Sequence, residues 1–364
     1  MIVTHTDTDG LVSALIVAIS HRILFKDVFT IGYRTDRDNV IEKMTEGYLQ
    51  SNRSMMYSAN PLYYLDLSFR PEEFEWARNK KKKNHWIWID HHISSNDFDP
   101  KGVFDEVHLD TEGGSCAADI CWKAYEDIVK ADNNLMEWRQ VAHDRDLWIN
   151  EYKDMNMKID MVIKYHINKL GESHSIVNQL LETMAKYPPK IFVMTTANIW
   201  QIEWKKYIDS KTMALTTGQV LGNDEGQKVF IGYCTESPSD VSEDIFEVHN
   251  PDIVALITRS KADINISLRS REIDVESIAK GAFAGGGHRL AAGGKLETKH
   301  LSGGYITIYK AIRDVIYDIG STAEEVPEET KETFQEEKEE EIPVPVKEVP
   351  KQSQKQHTQS KRKR

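Results

Sequence analysis

Short apolar runs alternate with segments of helical periodicity from the first residue onward, and this alternation limits the chain to a small set of folds. Met1–Thr4, Val28–Tyr33, Leu62–Leu67 and His85–Ile89 read as strands, and Gly10–Leu24, Pro71–Asn79 and Ser115–Lys130 read as helices. Strands separated by helices are joined by crossovers, which implies a mostly parallel sheet covered by helices. Around Tyr187-Pro188-Pro189 the pattern stops, then resumes as a helix through Trp200 and Trp204 towards Leu215. A second α/β set follows: strands at Lys228–Tyr233, Ile253–Thr258 and Ile264–Leu268, and helices at Val241–His249, Val275–Ala282 and Tyr305–Tyr317. The expected organisation is α/β throughout. A parallel-sheet domain spans 1–186, a helical connector 187–221, a smaller α/β domain 222–319, and a disordered charged tail 320–364. The basic run Arg78 to Lys83 falls between a helix and a strand and reads as a solvated loop.

Three of the first strands end in acids or histidines. His5, Asp7, Asp9 and Gly10 follow the first; Asp66 follows Leu62–Leu65; Asp90, His91 and His92 follow Trp86–Ile89. In an open α/β sheet, ligands bind outside the carboxyl ends of the strands, so all three clusters fall on one rim. The segment from Ala142 through His143, Asp144, Arg145 and Asp146 to Trp148 follows a helical stretch and adds two carboxylates. Carboxylates crowded at one edge repel unless cations sit between them. An oxygen-rich set with a few imidazoles suits Mn²⁺ or Mg²⁺ better than zinc, which points to a two-metal centre. Each element alone has a plainer reading. Asp9-Gly10 can be a helix cap, Asp66 with Ser68 can cap the helix near Pro71, and His5 and His143 can be polar loop residues. Together, in chain order, they are hard to obtain from capping alone.

In this arrangement the chain resembles the DHH phosphoesterase superfamily. His5-Thr6-Asp7-Thr8-Asp9-Gly10, Tyr64-Leu65-Asp66-Leu67-Ser68, Asp90-His91-His92 and Asp144-Arg145-Asp146 look like its four motifs. Gly285-Gly286-Gly287-His288-Arg289-Leu290-Ala291-Ala292-Gly293-Gly294 looks like the glycine-rich signature of the DHHA1 substrate-binding domain, and Ser267-Leu268-Arg269-Ser270 matches that domain's usual strand. The resemblance covers about residues 1 to 318. It implies that Asp7, Asp9, Asp66, His91 and an acid of the fourth motif hold two Mn²⁺, or Mg²⁺ or Co²⁺ in its place, with Asp66 as the bridge. A carboxylate bridge keeps two cations ~3.5–4 Å apart, so that they activate a shared water and polarise the phosphoryl oxygens. His5 is a further candidate ligand, two residues before Asp7 where the family's small-RNA nucleases place it four before. Aligning Trp148 with the aromatic that follows the fourth motif favours Asp144 slightly over Asp146, and both are carried. The resemblance also implies that His92 faces the phosphate as a donor while Asp90 orients the adjacent imidazole. Arg269, Ser270, Gly285, Gly286, Gly287 and His288 would anchor the substrate, the glycines by letting backbone N–H groups approach a phosphate.

Charge narrows the substrate. The 364 residues carry a formal −12, of which Glu324–Glu341, with ten Glu and two Lys, holds −8, while seven Lys/Arg against Glu348 in Ile342–Arg364 make +6. That leaves −10 on the rest, which lacks the broad basic surface that long nucleic acid needs. Poor in apolar residues, the tail cannot offset its ordering entropy. Its Lys361-Arg362-Lys363-Arg364 end offers a nucleic-acid or protein contact, or simple solubility. The longest apolar stretch, Leu11–Ile19, is interrupted by Ser13 and far short of the ~20 residues of a membrane span. The start of the chain shows no signal-peptide pattern, and Cys116, Cys121 and Cys234 form no C-x-x-C pair, so a cytoplasmic setting is expected. Within the resemblance, a short oligonucleotide or nucleoside bisphosphate fits best. The alternatives are an exonuclease similar to RecJ on single-stranded DNA or RNA, a cyclic-dinucleotide phosphodiesterase, and a non-catalytic nucleotide-sensing scaffold; pyrophosphate is the least expected. A homodimer is compatible with all of these.

Overall fold

Side chains alternate across a strand, so a strand apolar at every position needs cover on both faces. In the computed structural model, which describes residues 1–32, 40–51, 61–80, 84–170, 174–222, 226–259, 263–297, 300 and 302–323, the first strands show this arrangement. In β1 (Ile2–His5), β3 (Leu62–Leu65) and β4 (Trp86–Asp90), Ile2, Tyr63, Leu65, Ile87 and Ile89 enter one core. Val3, Leu62, Tyr64, Trp86 and Trp88 enter the other. With β2 (Val28–Ile31) and β5 (Glu106–Leu109) these strands form an all-parallel sheet of order β2-β1-β3-β4-β5.

The first core is completed by α1 (Thr8–His21), α4 (Ala117–Ala124), α5 (Glu126–Val129), α6 (Asn133–Asp146), α7 (Lys153–Leu170), α8 (His174–Lys186) and α9 (Pro189–Thr195). The second is closed by α2 (Val40–Ser51) and α3 (Pro71–Lys80). The helix after β1 and the helix after β3 therefore lie on opposite faces, and the chain parts between those two strands. A crevice opens at their carboxyl ends.

The long α10 (Ala197–Thr217) leads into a six-stranded sheet of order β10-β11-β9-β8-β7-β6. Its strands are β6 (Gln219–Gly222), β7 (Lys228–Tyr233), β8 (Ile253–Arg259), β9 (Ile264–Ser270), β10 (Gly286–His288) and β11 (Ala291–Lys295), antiparallel except for the β7–β8 pair. One face packs on α12 (Val275–Phe283) and α13 (Tyr305–Ala323). The other packs on α10, α11 (Pro238–His249) and Met157 and Met161 of α7.

One expectation changes. The helix expected over Ser115–Lys130 breaks at Tyr125, whose ψ of 20° separates α4 from α5. The glycine-rich segment forms the β10–β11 ribbon. α13 runs to Ala323, into the range expected for the tail; the remainder, 324–364, and Lys81–Lys83 of the basic run lie outside the described residues. Met1–Ile316 forms one compact unit. No helix among the described residues is long and apolar enough to cross a membrane.

Candidate metal centre

The turn after β1 is tight because Gly10 lies against the strand end: a Cβ there would sit 2.3 Å from the His5 carbonyl oxygen. Asp7 caps α1 by accepting the Gly10 N–H on Oδ1 at 2.9 Å, and its Oδ2 lies 2.6 Å from His5 Nδ1. Asp9, in the first turn of α1, is buried and accepts the Ala117 and Ala118 N–H groups, both at 2.8 Å. Asp66 leaves β3 in the left-handed region, at φ 54°, and its N–H donates to the Ile89 carbonyl at 2.9 Å. Its Oδ2 is buried and has no hydrogen-bond partner among the described residues. Asp90, fully buried, accepts from the Ser95 hydroxyl and lies 2.7 Å from His92 Nδ1.

His91 stands at the meeting point. Its Nε2 is 3.4 Å from Asp66 Oδ1 and 3.8 Å from Asp9 Oδ2, and its Nδ1 is 3.6 Å from Asp146 Oδ2. Three groups result: His5, Asp7 and Asp66; Asp9, His91 and Asp146; and Asp66, His91 and His92. Each offers ligand atoms within 4.8 Å of one another. Burial, then the charge of Asp146 and Asp7, pushes the Asp9 carboxyl well above the usual range. Burial does the same to Asp66, reinforced by Asp7, Asp9, Asp90 and Asp146. For His92, burial acts to lower the imidazole, but the Asp90 bond and the charges of Asp90, Asp146 and Asp7 win and the net direction is up. Positive charge placed among these groups removes that repulsion.

Asp144 is placed elsewhere, unlike the expectation that leaned towards it. Its oxygens accept the Glu151 N–H at 2.7 Å, the Tyr152 N–H at 3.0 Å and the Asn156 side-chain amide at 2.6 Å. It ties down the turn after α6. The Asp144→Ala variant strands the buried Asn156 amide and two partly exposed N–H groups and should lose about 2 kcal/mol of stability; thermal unfolding of metal-free protein checks this against Asp146→Ala, which should unfold within about 1 kcal/mol of the parent.

On the second sheet, Arg269 lines a cavity of about 610 Å³ with Thr258, Asn265, Ser267 and Gly286. Its Nη1 donates to Ser267 Oγ and to the Leu268 and Ala292 carbonyls, and its Nη2 to Ser239 Oγ at 2.6 Å. Gly285 and Gly287 serve the ribbon: a Cβ at Gly285 would lie 1.9 Å from the Gly293 carbonyl oxygen, and Gly287 has φ 148°. Only Gly286 of the three faces open space on that cavity. Ser270 differs from expectation, since its hydroxyl donates to the Asp252 carbonyl and accepts the Ile273 N–H, which closes a turn and keeps it off the cavity. The backbone of His288 ends β10, and its side chain lies outside the described residues. A second cavity of about 700 Å³ shares Thr258 and Asn265 with the first and reaches Thr6, between His5 and Asp7.

Sequence reading missed the wall of that second cavity. Thr8 donates to Asp160 Oδ1 at 2.6 Å, and Arg145 bridges Asp160 at 2.6 Å and Asp240 at 2.9 Å. The only sequence signal was Arg145 itself, flanked by two acids; its partners lie on α7 and α11.

No family model matches the chain, and no curated protein matches its sequence. Solved structures do. A DHH domain described as belonging to a member of a ribosomal-protein family matches at a TM-score of 0.59 and 14% identity, over 87% of this chain and 85% of that one. A pGpG-specific phosphodiesterase from Vibrio cholerae matches at 0.54 and 13%, over 87% and 99%. RecJ from Thermus thermophilus, in complex with Mn²⁺, matches at 0.53 and 13%, over 87% of this chain and 52% of its own. At such identities the likeness is one of fold, shared with a structure described as a DHH domain.

Proposed function

We propose that the chain is a divalent-metal-dependent phosphoesterase acting on short oligonucleotides or nucleoside bisphosphates. The observation that carries this is the Asp66 carboxylate, buried with one oxygen unpartnered among the described residues and set between the His5–Asp7 group and the Asp9–His91–Asp146 group. A buried carboxylate oxygen without a donor is costly. Its neighbours are further carboxylates and imidazoles, a donor set that fits Mn²⁺ first and Mg²⁺ or Co²⁺ as substitutes. His5, Asp7 and Asp66 would hold one cation, and Asp66, Asp9, His91 and Asp146 the other; Asp144 is left out. Two such cations supply an activated water and polarise the phosphoryl oxygens.

The chain's own residues orient the substrate. The Asp90 carboxylate accepts the Nδ1–H of His92 and fixes the ring, so that Nε2 is the atom that meets a phosphoryl oxygen. Across the groove, Gly286 offers backbone beside the rigidly held Arg269. The first sheet cleaves and the second anchors, the division expected of residues 1–186 and 222–319. Two of the fold relatives, a pGpG-specific phosphodiesterase and a RecJ in complex with Mn²⁺, lend support by analogy.

A length series from dinucleotide to about 30 nucleotides, in RNA and DNA, at fixed Mn²⁺ and two salt concentrations, tests the substrate class. Short substrates should turn over at least about tenfold faster than the longest, with a shallow salt dependence because few phosphates are contacted. Fast, salt-sensitive digestion of the longest substrate would instead favour an exonuclease similar to RecJ.

A further inference from the structure

Asp9 is held by a helix other than its own: the donors to its two oxygens are the Ala117 and Ala118 amides in the first turn of α4. Asp119, in the same turn, fixes that helix end. Its Oδ2 accepts the Cys116 N–H at 3.2 Å and lies 2.5 Å from His143 Nδ1, and its Oδ1 accepts Arg139 Nε at 2.7 Å. An ionised carboxylate has only lone pairs to offer, so the imidazole nitrogen is the donor. Arg139 and His143 both lie on α6, and Asp146 follows His143 by three residues, about one turn. A chain of short contacts thus runs from Asp9 through the start of α4 and Asp119 to α6 and Asp146. The circuit closes at His91, which sits 3.8 Å from Asp9 and 3.6 Å from Asp146.

Asp9 and Asp146 repel each other while no cation lies between them, and they belong to separate helices. Asp119, gripped by two donors from α6, ties α6 to the start of α4, whose first amides hold Asp9. We propose that Asp119 and His143 are a positioning pair that sets the separation of Asp9 and Asp146, and so the affinity of the one cation position those two carboxylates share. The proposal rests on the two-cation reading above. Cys116 Sγ also lies within 4.8 Å of ligand atoms of Asp119 and His143. A cation bound by those three would meet the Arg139 guanidinium already on the carboxylate, so the group acts through Asp9 and not as a site of its own.

The test is Mn²⁺ binding to chelator-treated full-length protein, followed by calorimetry and by the electron paramagnetic resonance signal of a spin-coupled manganese pair. The parent should take two Mn²⁺ per chain. In Asp119→Ala and His143→Ala one position should keep its affinity while the other weakens about 10–100-fold, with loss of the paired signal at limiting metal. His143→Asn places an amide N–H where Nδ1 stands and should recover most of that loss. Should Asp119→Ala not fold, as judged by metal-free unfolding, Asp119→Asn and the two His143 variants carry the comparison. Equal weakening of both positions, no weakening of either, or His143→Asn no better than His143→Ala overturns the pair's role. A parent that takes fewer than two Mn²⁺ instead overturns the two-cation reading, and this proposal with it.

Discussion

Replacing Asp66 by asparagine should abolish hydrolysis, by about 10³-fold or more, without unfolding the protein. Asparagine matches aspartate in shape, and among non-glycine residues it is one that accepts the left-handed backbone Asp66 adopts at φ 54°. What it removes is the charge on the one carboxylate placed between the two candidate cation groups. If that bridge supplies about 4 kcal/mol of transition-state stabilisation, the rate falls by about three orders of magnitude. Stability should move the other way. Burial and four neighbouring carboxylates raise the Asp66 pKa, so at neutral pH its ionised form opposes folding in the metal-free protein. Metal-free Asp66→Asn should therefore unfold at or above the temperature of the parent. Turnover within about tenfold of the parent at saturating Mn²⁺ would sink the assignment.

Metal removal should have the second-largest effect, and it should depend on pH. Two cations bound at a hundredfold excess over their Kd add about 5 kcal/mol to the free energy of unfolding. The sign of the pH dependence follows from groups with raised folded-state pKa. Asp9 and Asp66 are pushed up by burial first and by neighbouring carboxylates second. Their contribution is intact below the ordinary carboxylate pKa and is lost as pH rises through the folded value. His92, raised by Asp90 against the effect of burial, changes in the same direction from the ordinary imidazole pKa upward. On these groups' account, chelator-treated protein should be less stable at about pH 8 than at about pH 5.5, and the increment from Mn²⁺ should be larger at the higher pH, where protons compete less. Thermal unfolding with and without chelator measures both. An unfolding temperature indifferent to Mn²⁺ at the higher pH would count against a metal centre here.

Much of this was legible in the sequence, for identifiable reasons. Strands buried on both faces read as unbroken apolar runs, so β1, β3 and β4 stood out, and the acids and histidines that end them had to share a rim. Asp7, Asp9, Asp66, His91 and Asp146 do come together there. Choosing between Asp144 and Asp146 was out of reach because the segment is the last turn of α6 rather than a loop after it. Two residues apart on a helix, the acids point about 200° apart, one to the turn at Glu151–Asn156 and the other to the centre. Short edge strands such as β5, β6 and β10 carry too little apolar pattern to be seen. The Thr8–Asp160–Arg145–Asp240 network joins residues far apart in the chain and leaves no local trace.

The last turn of α6 is a three-way junction: Asp144 faces its own turn, Arg145 faces Asp160 and Asp240, and Asp146 faces His91. The helix therefore works like a cut key, whose teeth engage only at one rotational setting. A single-residue insertion between Asp132 and Asp144 would turn all three side chains by about 100° at once. Such length changes should be absent from working versions of this helix, even where its exposed residues vary freely.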